Sequence, residues 1–238
     1  MPAVDRTAPP LPGRAIIRQR WSDLVFLHWR VDPADVAPLL PVGTRPDLDA
    51  NGDTWVGLIP FVLSHSQFFP PLPAVPYLGT FVECNVRLYS VDGAGNRGVV
   101  FRSLDAQRLL PVLTAQALFG LPYRWARMSL QRSEVLDYRA QRIGGPSTHV
   151  VARPGTTPVD TELSRFLTAR WGFHERVRGH TIWARNFHEP WELFDARLDR
   201  LDDQLLAAAG FAGLAGRAPD SVLYSPGVTT VFAKPTRL

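Results

Sequence analysis

Hydrophobic and polar positions alternate most regularly between Phe81 and Tyr89, which predicts a β-strand with two different faces. Alternate residues on one face are all small or aliphatic: Val82, Cys84, Val86 and Leu88. The opposite face carries an acid, an amide, a guanidinium and a phenol, spaced about 7 Å apart: Glu83, Asn85, Arg87 and Tyr89. The first face is typical of a core. The second is a candidate site if it faces an enclosed space.

The same alternation predicts further strands along the chain. From Trp21 to Val31 one face is apolar, and the other places His28 and Arg30 among large apolar neighbours. Strand patterns follow at 55–63, 99–104, 124–131, 135–142, 148–153, 179–188 and 228–233.

Helical patterns are short and separated. Asp32 and Pro33 are typical of a helix start, as are Asp160 and Thr161 before a segment that extends to about Arg170. Two further helices are predicted over residues 110–119 and 198–208. Strands therefore dominate, and we predict an α+β fold with a mainly antiparallel sheet. Residues 1–13 are predicted to form a flexible proline-rich arm before a single domain at 14–238.

Composition narrows the class of protein. The 238 residues carry a net charge of +4 without a basic run, so we expect no nucleic-acid partner. Apolar runs are too short to span a membrane, and the N-terminal residues lack a signal-peptide pattern, so we expect a cytoplasmic protein with no membrane contact. Cys84 is the only cysteine and is predicted to be an inert buried thiol.

Motifs for metals and cofactors are missing from the sequence. The six histidines show no metal-binding spacing, and no glycine-rich phosphate loop or serine nucleophile elbow is present. We therefore expect neither a metal nor a cofactor. Two interpretations of Glu83 and Arg87 stay open: groups that handle a ligand inside a cavity, or an ion-pair ladder on an exposed sheet face. For His28 and Arg30, which lie among large apolar neighbours on one strand, the alternatives are a catalytic role and a satisfied histidine in the core or at its rim.

Several separated stretches resemble the YqjF-like family, a relative of acetoacetate decarboxylase. These stretches are Trp21 to Trp29, Phe81 to Tyr89, Leu121-Pro122-Tyr123, Phe166-Leu167-Thr168, His188-Glu189-Pro190-Trp191 and Tyr224 to Val228. The resemblance extends from about Arg14 to Pro235. It implies an antiparallel β cone or barrel with an interior cavity, and a position for Glu83 on a strand that faces this cavity.

The resemblance also exposes a difference. Acetoacetate decarboxylase has a Gly-aromatic-Pro-Lys-Lys motif whose first lysine forms a Schiff base, and the matching stretch here is Gly120-Leu121-Pro122-Tyr123-Arg124. A phenol and a guanidinium cannot form an imine. The only lysine, Lys234, lies in a predicted tail. A decarboxylase that works through a Schiff base is therefore not expected.

The leading hypothesis is a lyase or cyclase that acts on a keto acid or polyketide-like compound by acid–base chemistry. Catalytic roles are assigned to Glu83, Tyr123 and Arg124, and substrate binding to Asn85, Arg87, Tyr89, His28 and Arg30. The alternative is a non-catalytic ligand-binding or structural protein. We also expect a homo-oligomer, and the aromatic loop at 64–79 is a candidate subunit interface.

Overall fold

One hydrogen-bonded sheet dominates the computed structural model, which describes residues 4–70, 80–108 and 120–238. Its strands in chain order are β1 Ala15–Val31, β2 Thr44–Pro46, β3 Thr54–Phe68, β4 Phe81–Asp92, β5 Arg97–Ala106, β6 Tyr123–Arg132, β7 Leu136–Arg142, β8 Ser147–Pro158, β9 Gly172–Val177, β10 His180–His188, β11 Phe194–Asp203, β12 Ser221–Ala233 and β13 Thr236–Arg237.

The order across the sheet is β13-β10-β9-β5-β6-β7-β8-β11-β12-β1-β3-β4-β2. Two additional pairings, β10 with β12 and β5 with β4, join strands that are distant in this order. Most neighbours are antiparallel, whereas β5 pairs in parallel with β6 and β9. The predicted sheet, mostly antiparallel with few helices, is therefore confirmed.

Helices in the described residues are short: α1 Pro33–Val36, α2 Glu162–Thr168 and α3 Leu205–Ala208. Asp32 caps α1 as predicted, with its carboxylate accepting from the backbone N–H of Ala34 at 2.8 Å. Thr161 caps α2 through a reciprocal hydrogen-bond pair with Ser164. None of these helices is long and apolar enough to cross a membrane. The helix predicted over 110–119 lies outside the described residues.

The amphipathic helix predicted over residues 198–208 is wrong. Strand β11 extends to Asp203 and pairs with β8, and only Leu205–Ala208 is helical. The physical reason lies in the charges. Arg197 donates to Asp199 at 2.6 Å, and residues two apart share a face only in a strand.

The two faces of the central strands pack into separate clusters, as the alternation predicts. Val25, Leu27 and Trp29 of β1 join the apolar face of β4 in the largest cluster, whereas Leu24 and Phe26 belong to another. Cys84 is a free thiol in the first cluster, and burial holds its pKa well above the ordinary value. The side of the sheet that carries Leu24 and Phe26 borders the cavity described below.

The segment predicted to be a flexible arm makes several contacts. Ala8 is buried, and the carbonyl oxygen of Asp5 accepts from the Trp171 indole at 3.0 Å. Arg185 donates to the carbonyl oxygen of Pro10. The division of the chain at residue 13 stays a prediction.

The parallel contact between β5 and β9 depends on a glycine. A Cβ atom added to Gly98 would lie 2.5 Å from Trp183 Cζ3 and 2.8 Å from the carbonyl oxygen of Gly172. Strands can approach this closely only where no side chain intervenes.

We expect Gly98→Ala to destabilise the fold by about 1–3 kcal/mol through overpacking against Trp183. The measurement is urea unfolding followed by tryptophan fluorescence. Gly93→Ala is the control, because among the described residues no atom lies within 4 Å of its added Cβ. Equal stability of the two variants would contradict the close approach.

Candidate functional site: a cavity with two polar ends

A cavity of about 410 Å³ lies beside the polar face of β4. Aromatic and aliphatic side chains form most of its wall. Strand β4 contributes three predicted site residues to this wall: Glu83, Asn85 and Arg87. Their roles stay predictions. The remaining polar groups of the wall include Tyr123, Thr168, Arg170, Asn186 and His188.

Glu83 and Tyr123 form a hydrogen-bonded pair in this wall. The Tyr123 hydroxyl donates to Glu83 Oε2 at 3.0 Å, and only 2% of Glu83 is exposed. Register positions both groups: Glu83 pairs with Phe61 of β3 and Ala106 of β5, and Tyr123 opens β6 opposite Leu104.

Burial raises the pKa of Glu83 to about 8. The hydrogen bond from Tyr123 opposes this shift, and the nearby negative charge of Asp105 adds to it. Glu83 is therefore mainly a neutral carboxylic acid at pH 7, with about a tenth ionised. An acid of this kind can give or take a proton near neutral pH.

Arg87 lies further along β4 and is held by uncharged groups. Its Nε donates to the Tyr89 hydroxyl at 3.2 Å and its Nη2 to the Leu167 carbonyl oxygen at 2.9 Å. The guanidinium also stacks on the Phe26 and Tyr89 rings, 5.5 Å from each centroid. Among the described residues, no carboxylate lies within ion-pair distance of Arg87. This charge lines the cavity without an anionic partner.

Arg170 is a second, more deeply buried cation beside the cavity. It pairs with Asp47, whose carboxylate also accepts from Arg97 at 2.8 Å. Its guanidinium lies 4.4 Å from the Phe166 ring centroid and 4.7 Å from that of Tyr89. Burial lowers the Arg170 pKa, but a guanidinium stays charged at neutral pH.

His188 adds a neutral imidazole to the same region. Its Nδ1 lies 2.7 Å from the Glu189 carbonyl oxygen, so Nδ1 carries the proton and Nε2 is an acceptor. Burial lowers its pKa to about 4; the bond to Glu189 opposes this, and the Arg87 charge adds to it. Trp171 and Trp191 surround the ring at centroid distances of 4.8 and 4.7 Å.

His28 and Tyr89, both predicted to bind substrate, are fully buried and are not part of the cavity wall. The Tyr89 hydroxyl donates to the Leu167 carbonyl oxygen at 2.9 Å and lies 2.7 Å from His28 Nε2. Because the hydroxyl has one proton, His28 Nε2–H donates to it. Burial and the Arg87 and Arg170 charges hold the His28 pKa well below its usual value. Tyr89 accepts from Arg87 Nε and His28 donates to Tyr89, so these two buried residues hold Arg87 in position.

Arg124 and Arg30 lie outside the cavity, in contrast to their predicted roles. Neighbouring residues of a strand point to opposite faces, so the buried Tyr123 leaves the Arg124 side chain exposed. Arg30 is half-exposed, 3.7 Å from Asp53 and stacked over Trp55. Their positions give no support to contact with a ligand in this cavity.

The residues that sequence reasoning missed come from distant segments. Thr168 and His188 lie in stretches that carried the family resemblance, which was an available signal, but no role was assigned to them. Arg170 lies two residues after Thr168. Its burial depends on a tertiary pairing with Asp47.

The candidate interface loop divides between two environments. Phe68 lines the cavity, whereas Phe69 is 60% exposed. Positions 71–79 lie outside the described residues, so the subunit interface and the homo-oligomer stay predictions.

The cavity wall contains no lysine among the residues that line it, and Lys234 is exposed. In the described part of the chain, no group of three or more histidine, cysteine or acidic side chains is arranged for a metal ion. The ionisable chemistry of the cavity therefore comes from a carboxylic acid, a phenol, guanidinium groups and an imidazole.

Solved structures with low sequence identity share the fold. Acetoacetate decarboxylase from Legionella pneumophila superposes with a TM-score of 0.69 and 14% identity, covering 97% of this chain and 91% of its own. The enduracididine biosynthesis enzyme MppR complexed with pyruvate gives a TM-score of 0.61 and 12% identity, covering 94% and 91%. The overall fold is therefore that of acetoacetate decarboxylase.

Sequence relatives define the family more narrowly. Uncharacterized protein YqjF of Bacillus subtilis (strain 168) is 34% identical over 194 residues, which are 79% of this chain and 78% of YqjF. Residues 18–229 match the family DUF2071, described as an uncharacterized conserved protein. This chain, with its acid–phenol pair and guanidinium groups around one cavity, belongs to the DUF2071 family.

Proposed function

We propose that the cavity binds an organic acid that carries a carbonyl group, and that Glu83 moves a proton at that carbonyl without a Schiff base. The observation that supports this most is the Glu83–Tyr123 pair, a carboxylic acid of pKa about 8 hydrogen-bonded to a phenol in an apolar cavity. Enolisation, and the lyase and cyclase reactions that pass through an enolate, begin with such a proton transfer next to a carbonyl.

The proposed step is enolisation. The ionised form of Glu83 takes a proton from the carbon next to the ligand carbonyl. The electron pair of that C–H bond forms a carbon–carbon double bond, and the π pair of the carbonyl moves to its oxygen. The Tyr123 hydroxyl turns from Glu83 to the developing enolate oxygen and donates a hydrogen bond to it. Return of the proton from Glu83 to the carbon closes the cycle with no external oxidant or reductant.

The fold relatives are consistent with this proposal. Acetoacetate decarboxylase acts on a keto acid by its name, and MppR has been solved with pyruvate bound. We also propose that the sheet closes into a cone around the cavity, which the additional β10–β12 and β5–β4 pairings support. A closed sheet would exclude water from Glu83 and maintain its raised pKa.

Non-catalytic binding is the second candidate function. It is favoured by the hydrogen bonds that already hold Arg87 and Tyr123 in place, since such groups can bind an acid without reacting with it. Proton exchange separates the two functions, because binding alone leaves the carbon-bound protons of the ligand untouched.

Sodium borohydride should trap no covalent adduct when the protein is incubated with pyruvate or acetoacetate. A phenol and a guanidinium cannot form an imine, and the only lysine is exposed. Intact-protein mass spectrometry is the measurement, with a Schiff-base decarboxylase as positive control and Lys234→Arg to identify surface labelling. An adduct that persists in Lys234→Arg and maps to the cavity would contradict the mechanism.

Exchange of ketone α-protons with D2O should be catalysed, with a rate that rises with pH, reaches half its maximum near pH 8 and levels about one pH unit higher. The pKa of the base sets this midpoint. Proton NMR with acetone, pyruvate and 7-oxooctanoate is the measurement. Glu83→Gln should slow exchange by about 10²–10⁴-fold. Tyr123→Phe should move the midpoint to higher pH. The hydrogen bond from Tyr123 lowers the Glu83 pKa, so its removal raises that pKa.

Glu175→Gln is the matched control for these variants. Glu175 is also buried, and burial raises its pKa to about 7, but it is not part of the cavity wall. It should leave the exchange rate and its pH midpoint unchanged. Binding without exchange in the wild-type protein would favour the non-catalytic function.

A further inference from the structure

The cavity has two chemically different ends along β4. Glu83 and Arg87 are four residues apart in a strand whose register with β3 is continuous, so their Cα atoms are roughly 13 Å apart. Tyr123 lies with Glu83 at one end. Arg170 and Arg87 both stack on the Tyr89 ring at the other end.

Hydrogen bonds fix the guanidinium of Arg87 at the second end of the cavity. It donates to the hydroxyl of Tyr89, which is two positions further along the same strand, and to Leu167. The Cα separation of roughly 13 Å places the two groups at different positions along the cavity. One small ligand group cannot contact both ends.

The Arg87 end is suited to an anion. Arg87 is partly exposed although its strand is otherwise buried, and it lines the cavity. Its partners in the described residues are a hydroxyl, a carbonyl oxygen and aromatic rings, none of which neutralises its charge. Asp47, the carboxylate of this region, is shared by Arg97 and Arg170. A carboxylate from the ligand would supply the missing negative charge.

The wall between the ends is apolar and largely aromatic. Ile59, Phe61, Phe101, Phe173 and Phe232 all line it. At about 30 Å³ for each water, 410 Å³ corresponds to roughly fourteen waters, and this volume is well above that of a three-carbon keto acid. A long apolar segment fits this space better than a short, fully polar one.

We propose that the ligand is an elongated oxo acid whose carbonyl and carboxylate are separated by an apolar spacer. The carboxylate binds at Arg87, the spacer lies along the aromatic wall, and the carbonyl reaches Glu83 and Tyr123. This rests on the proposed function and excludes pyruvate and acetoacetate as preferred ligands, because their carbonyl and carboxylate groups are too close together to reach both ends.

A ladder of straight-chain oxo acids, from pyruvate to 9-oxodecanoate, tests the spacing by isothermal titration calorimetry on the wild-type protein. Each buried methylene should improve the dissociation constant about fourfold until the spacer matches the cavity. The longer members should therefore bind at least tenfold more tightly than pyruvate. Tightest binding at pyruvate would overturn the proposal.

Hydrophobic partition alone would also favour longer chains, so two ligands that lack one end are needed. Octanoate retains the carboxylate, and 2-octanone retains the carbonyl. Arg87→Lys should weaken binding of 7-oxooctanoate and octanoate but not of 2-octanone, because lysine cannot keep the paired guanidinium contacts. Tyr123→Phe should weaken binding of 7-oxooctanoate and 2-octanone but not of octanoate.

Arg124→Lys is the matched control, since Arg124 is exposed and outside the cavity, and it should change none of these affinities. Equal losses for all three ligands in Arg87→Lys would show a structural effect and overturn the assignment of the anionic end. Failure of the exchange reaction with the affinity pattern intact would remove catalysis but keep the ligand class. Exchange restricted to short keto acids would keep catalysis but overturn the elongated oxo acid as the ligand.

Discussion

Burial of the Glu83 carboxyl group beside the Tyr123 hydroxyl is the interaction on which the site depends. It arises because β4 lies between β3 and β5, with one face in a dry core and the other on the cavity. A one-residue shift of register would exchange the two faces. Glu83 would then enter the hydrocarbon core, where no group balances it, and Cys84 would face the cavity. The packing of the apolar face therefore fixes the position of the acid.

The other end of the cavity illustrates how the fold accommodates buried cations. Arg170 is nearly fully buried, and it retains its charge through Asp47, the Phe166 carbonyl oxygen and two aromatic faces. Arg87 has the aromatic faces and hydrogen bonds, but none of the carboxylates in the described residues pairs with it. Desolvation of an arginine without an anionic partner is costly, and the proposed ligand carboxylate would offset this cost. His28 and His188 stay neutral in the same region and add no competing positive charge.

Sequence reasoning was most successful where a period of two was unambiguous. The strand at Phe81 to Tyr89, its hairpin partner β5 and the capped turn at Asp32 were all predicted correctly, because each depends on local pattern. The family resemblance added the fold and directed attention to Tyr123. The segment after Leu198 failed because alternating arginine and aspartate pairs suit a strand, whereas the spacing of its leucines suggested a helix.

The rest of the site could not be predicted because it is assembled from distant segments. Arg170 reaches the cavity from the segment between α2 and β9, and His188 from the end of β10; no short-range signal indicates which face of the sheet they contact. Arg124 was assigned a catalytic role because the motif comparison aligned it with a lysine of acetoacetate decarboxylase. Adjacent strand residues point to opposite faces, and of this pair only Tyr123 faces the cavity. Tyr89 shares a strand face with Glu83, yet it is not part of the cavity wall, and its hydroxyl donates to the Leu167 carbonyl oxygen and accepts from Arg87.

The protonation state of Glu83 tests the central claim most directly. Carbon-13 NMR of glutamate-labelled protein, with the Glu83 carboxyl resonance assigned by its loss in Glu83→Gln, would give its titration midpoint. We predict a midpoint near 8, with the acid form dominant at pH 7. A midpoint near the ordinary glutamate value of about 4.3 would show that water reaches the carboxylate, and it would contradict the enclosed acid–base site.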